Sequence, residues 1–271
     1  VNGNHFKAAA QIVVLDPKKS LEKKLDRITA PLLVVKISEE VAIPDYLESI
    51  LEGVPVLTWD QAEQIAEFLR NWMTDRKPKL KGLVLAGGKS MRMKRDKGSI
   101  DYHGTSQRQF LYHQLSELGV ETLVSCRQDQ KDQIEPGLPI LIDTFQGLGP
   151  MGALLSAFRE DPDVAWLAVA CDLPYLTDST LEFLIKNRDQ TKVATAFKSP
   201  NNEFPEPLIT IWEPRSYKVL FDFLSQGYSC PRKVMINSPI HLIDAPETKE
   251  LSNVNHPEEY ELAIRDLRSE I

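Results

Sequence analysis

The sequence predicts an α/β fold on a mostly parallel sheet, with a smaller α/β module ahead of a larger domain. Two observations carry this. Short apolar runs of strand length alternate with amphipathic stretches of helical spacing, the pattern of βαβ units with right-handed crossovers. The alternation breaks at Thr74-Asp75-Arg76-Lys77-Pro78-Lys79, polar, charged and proline-broken, which reads as a linker between a module over residues 1–75 and a domain over residues 80–271.

In the first module, residues 11–15 read as a buried strand, 18–27 as a helix and 32–37 as a second strand. Residues 44–51 read as a helix opened by Pro44, whose fixed φ suits a first helical turn. A short strand follows at 54–57. The stretch 59–72 sets Ile65, Phe68, Leu69 and Trp72 at helical spacing, with Thr58 or Asp60 as cap. Beyond the linker, strands are expected at 83–86, 122–126, 139–142, 164–171 and 192–197, with a late one at 240–243. Helices are expected at 106–118, 151–158, 178–186, 214–224 and 257–267. There is no internal repeat and no low-complexity tract.

With 42% hydrophobic residues over 271 positions, the chain has material for one large or two modest cores, which excludes a disordered tail or a disulfide miniprotein. Lys and Arg number 32 against 39 Asp and Glu, a formal charge of −7, so no nucleic-acid partner is expected and any nucleotide has to be held by local groups. The apolar runs fall far short of the ~20 residues of a bilayer span, and no charged-then-apolar leader opens the chain. A soluble protein with no membrane partner is the expectation. Cys126, Cys171 and Cys230 lie far apart with no Cys-x-x-Cys pair, which suggests neither a disulfide framework nor a zinc site and fits a reducing, cytoplasmic location. The five histidines lack zinc-hydrolase spacing, and no Gly-x-Ser-x-Gly elbow is present. Because the first residue is Val1 rather than Met, the sequence is expected to start inside a longer protein.

The most informative stretch is Leu85-Ala86-Gly87-Gly88-Lys89-Ser90-Met91-Arg92-Met93-Lys94-Arg95-Asp96-Lys97, at the end of the strand at 83–86. Two glycines there let the backbone turn tightly and bring N–H groups close to an anion with no Cβ in the way. Lys89, Arg92, Lys94, Arg95 and Lys97 make a local positive patch in an acidic chain, as a triphosphate requires; the alternative is a solvated basic loop after an ordinary glycine turn. Gly88-Lys89-Ser90 does not complete a Walker A loop, because Leu83 stands where that motif needs glycine.

Residues 164–170 end at Cys171-Asp172-Leu173-Pro174. Ligands gather at the carboxyl ends of strands in open α/β sheets, and a carboxylate there can hold Mg2+ against nucleotide phosphates. Asp172 is therefore a metal candidate; equally, it can start the turn before Pro174. Residues 140–142 lead to Asp143 and then to Gly147-Leu148-Gly149-Pro150-Met151-Gly152-Ala153, which suits close approach of a ligand or serves as a plain strand-to-helix connection. Near the end, Leu251-Ser252-Asn253-Val254-Asn255-His256-Pro257-Glu258-Glu259 reads as a polar turn capping the last helix.

The run Leu85-Ala86-Gly87-Gly88, then Ser90, Arg92, Met93, Asp96 and Lys97, resembles the signature loop of the molybdenum cofactor guanylyltransferases, nucleotidyltransferases with a Rossmann-like fold. The resemblance covers residues 81 to about 265. It implies transfer of GMP from GTP to molybdopterin (the molybdenum cofactor), with Mg2+ as cofactor and a guanine dinucleotide cofactor and pyrophosphate as products. Molybdoenzymes or other proteins of the cofactor pathway are the implied protein partners. Nucleotide binding is implied for Leu85, Ala86, Gly87, Gly88, Lys97, Asp143 and Asp172, and catalytic roles for Arg92, Lys97 and Asp172. Asp172 sits in a segment similar to the family's Cys-Asp-x-Pro, which implies a magnesium ligand. Asn253 and Asn255 match the family's Asn-x-Asn-x-Pro-Glu-Asp segment, which implies contact with metal-bound phosphate or the second substrate.

Two departures stand out. Lys94-Arg95 replace the glycine the family often has after Arg-Met, and Ser125-Cys126-Arg127 occupy the strand end that usually supplies an asparagine to the nucleotide. Ala86-Gly87-Gly88 resembles the guanine-using enzymes more than the cytidine-using relatives, which tend toward Ala-Ala-Gly. The alternatives are another nucleotidyltransferase of this fold using CTP or a sugar phosphate, and a noncatalytic nucleotide-sensing scaffold. Residues 1 to about 73, with Val1-Asn2-Gly3-Asn4-His5-Phe6-Lys7 leading into the first strand, resemble the distal part of the adaptor GTPase of the same pathway. A small α/β module used for packing or assembly is the alternative there.

Overall fold

The computed structural model describes residues 10–74, 76–88, 96–200 and 202–269. The chain divides between Lys77 and Pro78 into two compact units.

The first unit holds three parallel strands, β1 (Gln11–Leu15), β2 (Pro31–Lys36) and β3 (Val56–Thr58), in that spatial order. Val13, Leu15 and Val34 turn inward against Leu47 and Leu51, Leu47 belonging to the one-turn helix α1 (Asp45–Glu48). On edge strand β1 the alternate residues Ile12 and Val14 stay exposed, whereas central β2 buries Leu33, Val34 and Val35 on both faces. The helix expected at 18–27 is instead a 3-10 run, Glu22–Arg27, with no buried residue. Leu21 and Leu25 alone are too narrow a stripe to offset helix nucleation. The next helix, α2 (Ala62–Thr74), starts later than its apolar spacing suggests. Thr58 donates to Gln61 Oε1 from both its N–H (2.8 Å) and its hydroxyl (3.0 Å), which shapes the preceding turn.

The second unit contains β4 (Leu80–Leu85), β5 (Glu121–Cys126), β6 (Ile140–Ile142), β7 (Ala165–Ala170), β8 (Ala194–Lys198), β9 (Pro205–Trp212) and β10 (His241–Ile243). They form one sheet in the order β10-β8-β9-β7-β4-β5-β6, with β9 antiparallel to both its neighbours and every other pair parallel. β9 is absent from the sequence reading. Pro205 and Pro207 mask its start, because proline in a run argues against an interior strand, yet Ile209, Thr210, Ile211 and Trp212 are buried.

The helices α3 (Gln107–Glu117), α4 (Pro150–Glu160), α5 (Asp178–Lys186), α6 (Ser216–Ser225) and α8 (Pro257–Ser269) fall where helical spacing puts them; α7 (Pro231–Ile236) is additional. Leu111 and Leu115 of α3 and Leu181 and Leu184 of α5 pack on one face of the sheet. Met151, Leu154 and Phe158 of α4, Leu220 of α6 and Val234 of α7 pack on the other. Covered on both sides, β7 is buried at all six positions, which is why it reads as a continuous apolar run. Because β4, β5, β6 and β7 are mutually parallel, their carboxyl ends open along one edge, where ligands bind in such sheets. No helix among the described residues is long and apolar enough to cross a membrane.

Candidate active site

Along that edge lies a cavity of about 1220 Å3, lined by Leu85, Ala86, Gly87, Gly88, Lys97, Asp143, Asp172 and Asn255 among others. Lys97 is set by its neighbour. Asp96 caps the 3-10 turn Lys97–Ser99 by accepting from the Gly98 N–H at Oδ1 (3.0 Å), and the Ser99 hydroxyl donates to its carbonyl (2.8 Å). From this turn the Lys97 ammonium lies 3.5 Å from Asp172 Oδ2 and donates to Asn255 Oδ1 (2.7 Å). Residues from three distant parts of the sequence thus meet at one point.

Asp172 follows β7 by two residues, and its carbonyl accepts from the Val254 N–H (2.8 Å), which ties the segment carrying Asn255 to this strand end. Burial pushes its carboxyl above the usual range, with the Lys97 charge working against that. Its Oδ1 is buried and has no hydrogen-bond partner among the described residues. An orphan carboxylate oxygen is costly unless a ligand completes it. It fits Mg2+, a hard cation that takes one or two carboxylates, substrate phosphates and several waters. No group of three or more His, Cys, Asp or Glu side chains among the described residues makes a metal cluster, so the fit is to an ion completed by phosphate and water rather than to a protein cage.

Asp143, at the end of β6, is buried and accepts from the Ser125 hydroxyl at Oδ1 (2.5 Å). Burial raises its pKa to about 6, against the opposing effects of Ser125 and the Arg127 charge. Its other oxygen explains a glycine. A Cβ on Gly87 would stand 2.7 Å from Asp143 Oδ2, so only glycine allows the loop and the carboxylate to lie this close. A Cβ on Gly88 would meet no atom of the described residues within 4 Å.

Arg127 and Gln130, which the sequence reading gave no role, support the glycine loop from beneath. Arg127 Nη1 donates to the Gly87 carbonyl (2.6 Å), with its guanidinium paired to Asp129 (2.9 and 3.1 Å). Gln130 accepts from the Arg127 N–H (3.2 Å) and donates to the Ala86 carbonyl (3.4 Å). Ser125-Cys126-Arg127 was visible as a departure at a strand end; its partners were not, because they depend on the pairing of β5 with β4 and β6. At the far wall, Gly149 takes φ 56° and ψ −137°, open only to glycine, and turns the chain into α4 with Pro150 in the first turn.

Asn253 stands apart from the other residues named for the site. It is half-buried, does not line the cavity and makes no hydrogen bond among the described residues, although Val254 and Asn255, which follow it, bond to Asp172 and Lys97. The same turn caps α8, where Glu259 Oε2 accepts from the N–H groups of Asn255 (2.6 Å) and His256 (3.0 Å). Arg92 lies outside the described residues.

Residues 82–238 match the MobA-like NTP transferase domain family. The chain belongs to that family. As a MobA-like NTP transferase it is a nucleotidyltransferase, and the matched region contains Lys97, Asp143 and Asp172. Over 183 residues it is 36% identical to the molybdenum cofactor biosynthesis bifunctional protein of Synechocystis sp., a match covering 67% of this chain and about half (52%) of that protein. To the molybdenum cofactor guanylyltransferase of Vibrio atlanticus it is 26% identical over 187 residues, 65% of this chain and 91% of the relative. The crystal structure of molybdopterin-guanine dinucleotide biosynthesis protein A from Archaeoglobus fulgidus shares the fold, with TM-score 0.60, 20% identity, and coverage of 70% of this chain and 100% of that one.

Proposed function

We propose that the second unit transfers GMP from GTP to the terminal phosphate of molybdopterin, giving a guanine dinucleotide cofactor and pyrophosphate. The observation that carries this reading is the convergence of Lys97, Asp172 and Asn255 beside the glycine loop. The names of the relatives add the guanine nucleotide and the pterin. A cavity of about 1220 Å3 has room for a nucleotide and a second substrate side by side.

An oxygen of the pterin phosphate attacks the α-phosphorus of GTP in line. The new P–O bond forms as the bond to the bridging β-phosphate oxygen breaks, and pyrophosphate leaves with that electron pair. No side chain has to act as nucleophile, so positioning and charge stabilisation carry the reaction. Lys97, together with Arg92, offsets charge on the α-phosphate and the departing pyrophosphate. The backbone of residues 85–88 faces the phosphates, and Asp143 holds the nucleoside. Asp172, through its unpartnered Oδ1, would hold Mg2+, which supplies positive charge against the triphosphate when bound. Asn255 keeps Lys97 directed at Asp172 and faces the second substrate. The reading includes a cytoplasmic location, delivery of the product to molybdoenzymes or pathway proteins, and a first unit of adaptor type.

Incubation of the full chain with GTP, Mg2+ and molybdopterin, followed by mass analysis, tests the proposal. The expected product is the guanine dinucleotide with stoichiometric pyrophosphate. Absence of product, or faster turnover with CTP in a parallel reaction, overturns it.

A further inference from the structure

We propose that the first turn of α3, through Gln107 and Arg108, is a positioning element that sets the separation of Lys97 and Asp172. This rests on the roles proposed for those two residues and adds two side chains outside the cavity.

Arg108 is almost fully buried beneath the turn that carries Lys97. Its guanidinium is committed on every side: Nη1 donates to Asp96 Oδ2 (2.8 Å), Nε to Glu135 Oε2 (2.7 Å) and Nη2 to the Gln133 carbonyl (2.6 Å). Asp96 is the residue that caps the Lys97 turn, so the clamp acts one peptide away from the lysine. The turn also rests on Arg108 directly, since a Cβ on Gly98 would lie 3.3 Å from Arg108 Cδ and 3.5 Å from the Ala86 Cβ. Arg108 therefore braces the Lys97 turn against the strand end that opens the glycine loop.

Gln107 does the same for the other partner. It is wholly buried, and its Nε2 donates to the Leu173 carbonyl (3.2 Å), one residue beyond Asp172. Two turns later on the same helical face, Gln114 donates to the Leu176 carbonyl (3.1 Å), so the segment after Asp172 is held at two points. Consecutive helical side chains point about 100° apart, which lets one rigid turn reach both segments. The Gln107 N–H donates to the Ile100 carbonyl (2.8 Å), fastening the helix start to the chain that leaves the Lys97 turn.

The charge placement sharpens the point. A cation in a first helical turn opposes the helix dipole, and burial works against a guanidinium's charge; Glu135 and Asp96 more than offset that here. Buried ion pairs are often no more stabilising than apolar packing. What this pair delivers is a fixed geometry for the neighbouring lysine.

Steady-state kinetics of the full chain with GTP, Mg2+ and molybdopterin, read by pyrophosphate release, test the inference. In Arg108→Met, kcat is expected to fall roughly a hundredfold, the scale of a 1 Å misplacement, with KM for GTP within about threefold. Arg108→Lys keeps a donor toward Asp96 and is expected to recover roughly tenfold of that loss. Gln107→Leu is expected to lower kcat roughly tenfold without any change of charge. Melting temperatures show which variants fold; if Arg108→Met does not, Arg108→Lys and Gln107→Leu decide. Folded variants with unchanged kcat, or with only a raised KM, overturn the positioning role. Lys97→Ala separates the two levels: full turnover there sinks the reading of Lys97, whereas an inactive Lys97→Ala beside fully active Arg108 and Gln107 variants sinks the positioning role alone.

Discussion

Asp143 and Asp172 stand at the carboxyl ends of two parallel strands in one sheet, and burial raises the pKa of both, yet their surroundings differ. Asp143 has a serine hydroxyl on one oxygen and the close backbone of Gly87 against the other. Asp172 faces an ammonium with one oxygen and keeps the other buried and, among the described residues, unpartnered. Topology brings both carboxylates to the ligand edge, but partners decide what each can do. The one bonded to serine and set close against Gly87 shapes the loop; the one with a buried, incomplete oxygen can take a cation.

The strongest way to break this contrast is to neutralise each carboxylate. Asp172→Asn is expected to lower kcat roughly a thousandfold or more, the scale of losing charge stabilisation at a reacting phosphate, and Lys97→Ala to match it. Asp143→Asn is expected to cost only roughly tenfold, chiefly in KM. Equal losses at 143 and 172, measured by pyrophosphate release, erase the distinction.

The next effect is on stability. In the folded protein Asp143 keeps its proton up to about pH 6, whereas in the unfolded chain it loses it near 3.8. Between those values the folded state binds more protons, so the contribution is fully present below pH 3.8 and lost as pH rises through 6. A shift of this size corresponds to about 3 kcal/mol. Asp143→Asn removes that dependence, so relative to wild type it gains stability between pH 4 and pH 7. Hydrogen exchange at the buried β7 amides reports it. Parallel pH curves for the two proteins contradict the prediction.

How much of this was legible in the sequence depends on the range of the contact. β7 and the aspartate beyond it were readable because a strand buried on both faces is apolar throughout. Lys97 and Asp172 could be named from local motifs, but their 3.5 Å approach is a product of sheet order. β9 was hidden by its prolines, and the short 3-10 run at Glu22–Arg27 by charged residues that suit a longer helix. The Ser125–Asp143 bond joins positions 18 residues apart and needs strand register to exist. Of the two asparagines in one motif, only geometry shows that Asn255 reaches Lys97 while Asn253 does not. Arg108 left a faint local sign, a cation in a first helical turn where an anion is favoured.

A steric test follows in size. Gly87→Ala places a methyl group 2.7 Å from Asp143 Oδ2, which forces the loop or the carboxylate to move. A roughly tenfold rise in KM for GTP is expected, with a smaller change in kcat. Gly88→Ala meets no atom of the described residues within 4 Å, so a smaller rise in KM is expected there. If both alanines raise KM equally, the close approach of Asp143 is not what requires glycine at position 87.

The smallest effect belongs to the support beneath the loop. Arg127 donates to the Gly87 carbonyl, but its other contacts run to Asp129, whose side chain is 71% exposed, and exposed pairs contribute little. Arg127→Ala is therefore expected to raise KM for GTP roughly threefold and leave kcat unchanged, with Asp129→Ala smaller still. A fall in kcat for Arg127→Ala would place its guanidinium on the reacting phosphates instead. The asymmetry of the site would then shift: positive charge would act on the triphosphate from the Asp143 side as well as from Lys97, and the division between a shaping and a reacting carboxylate would have to be redrawn.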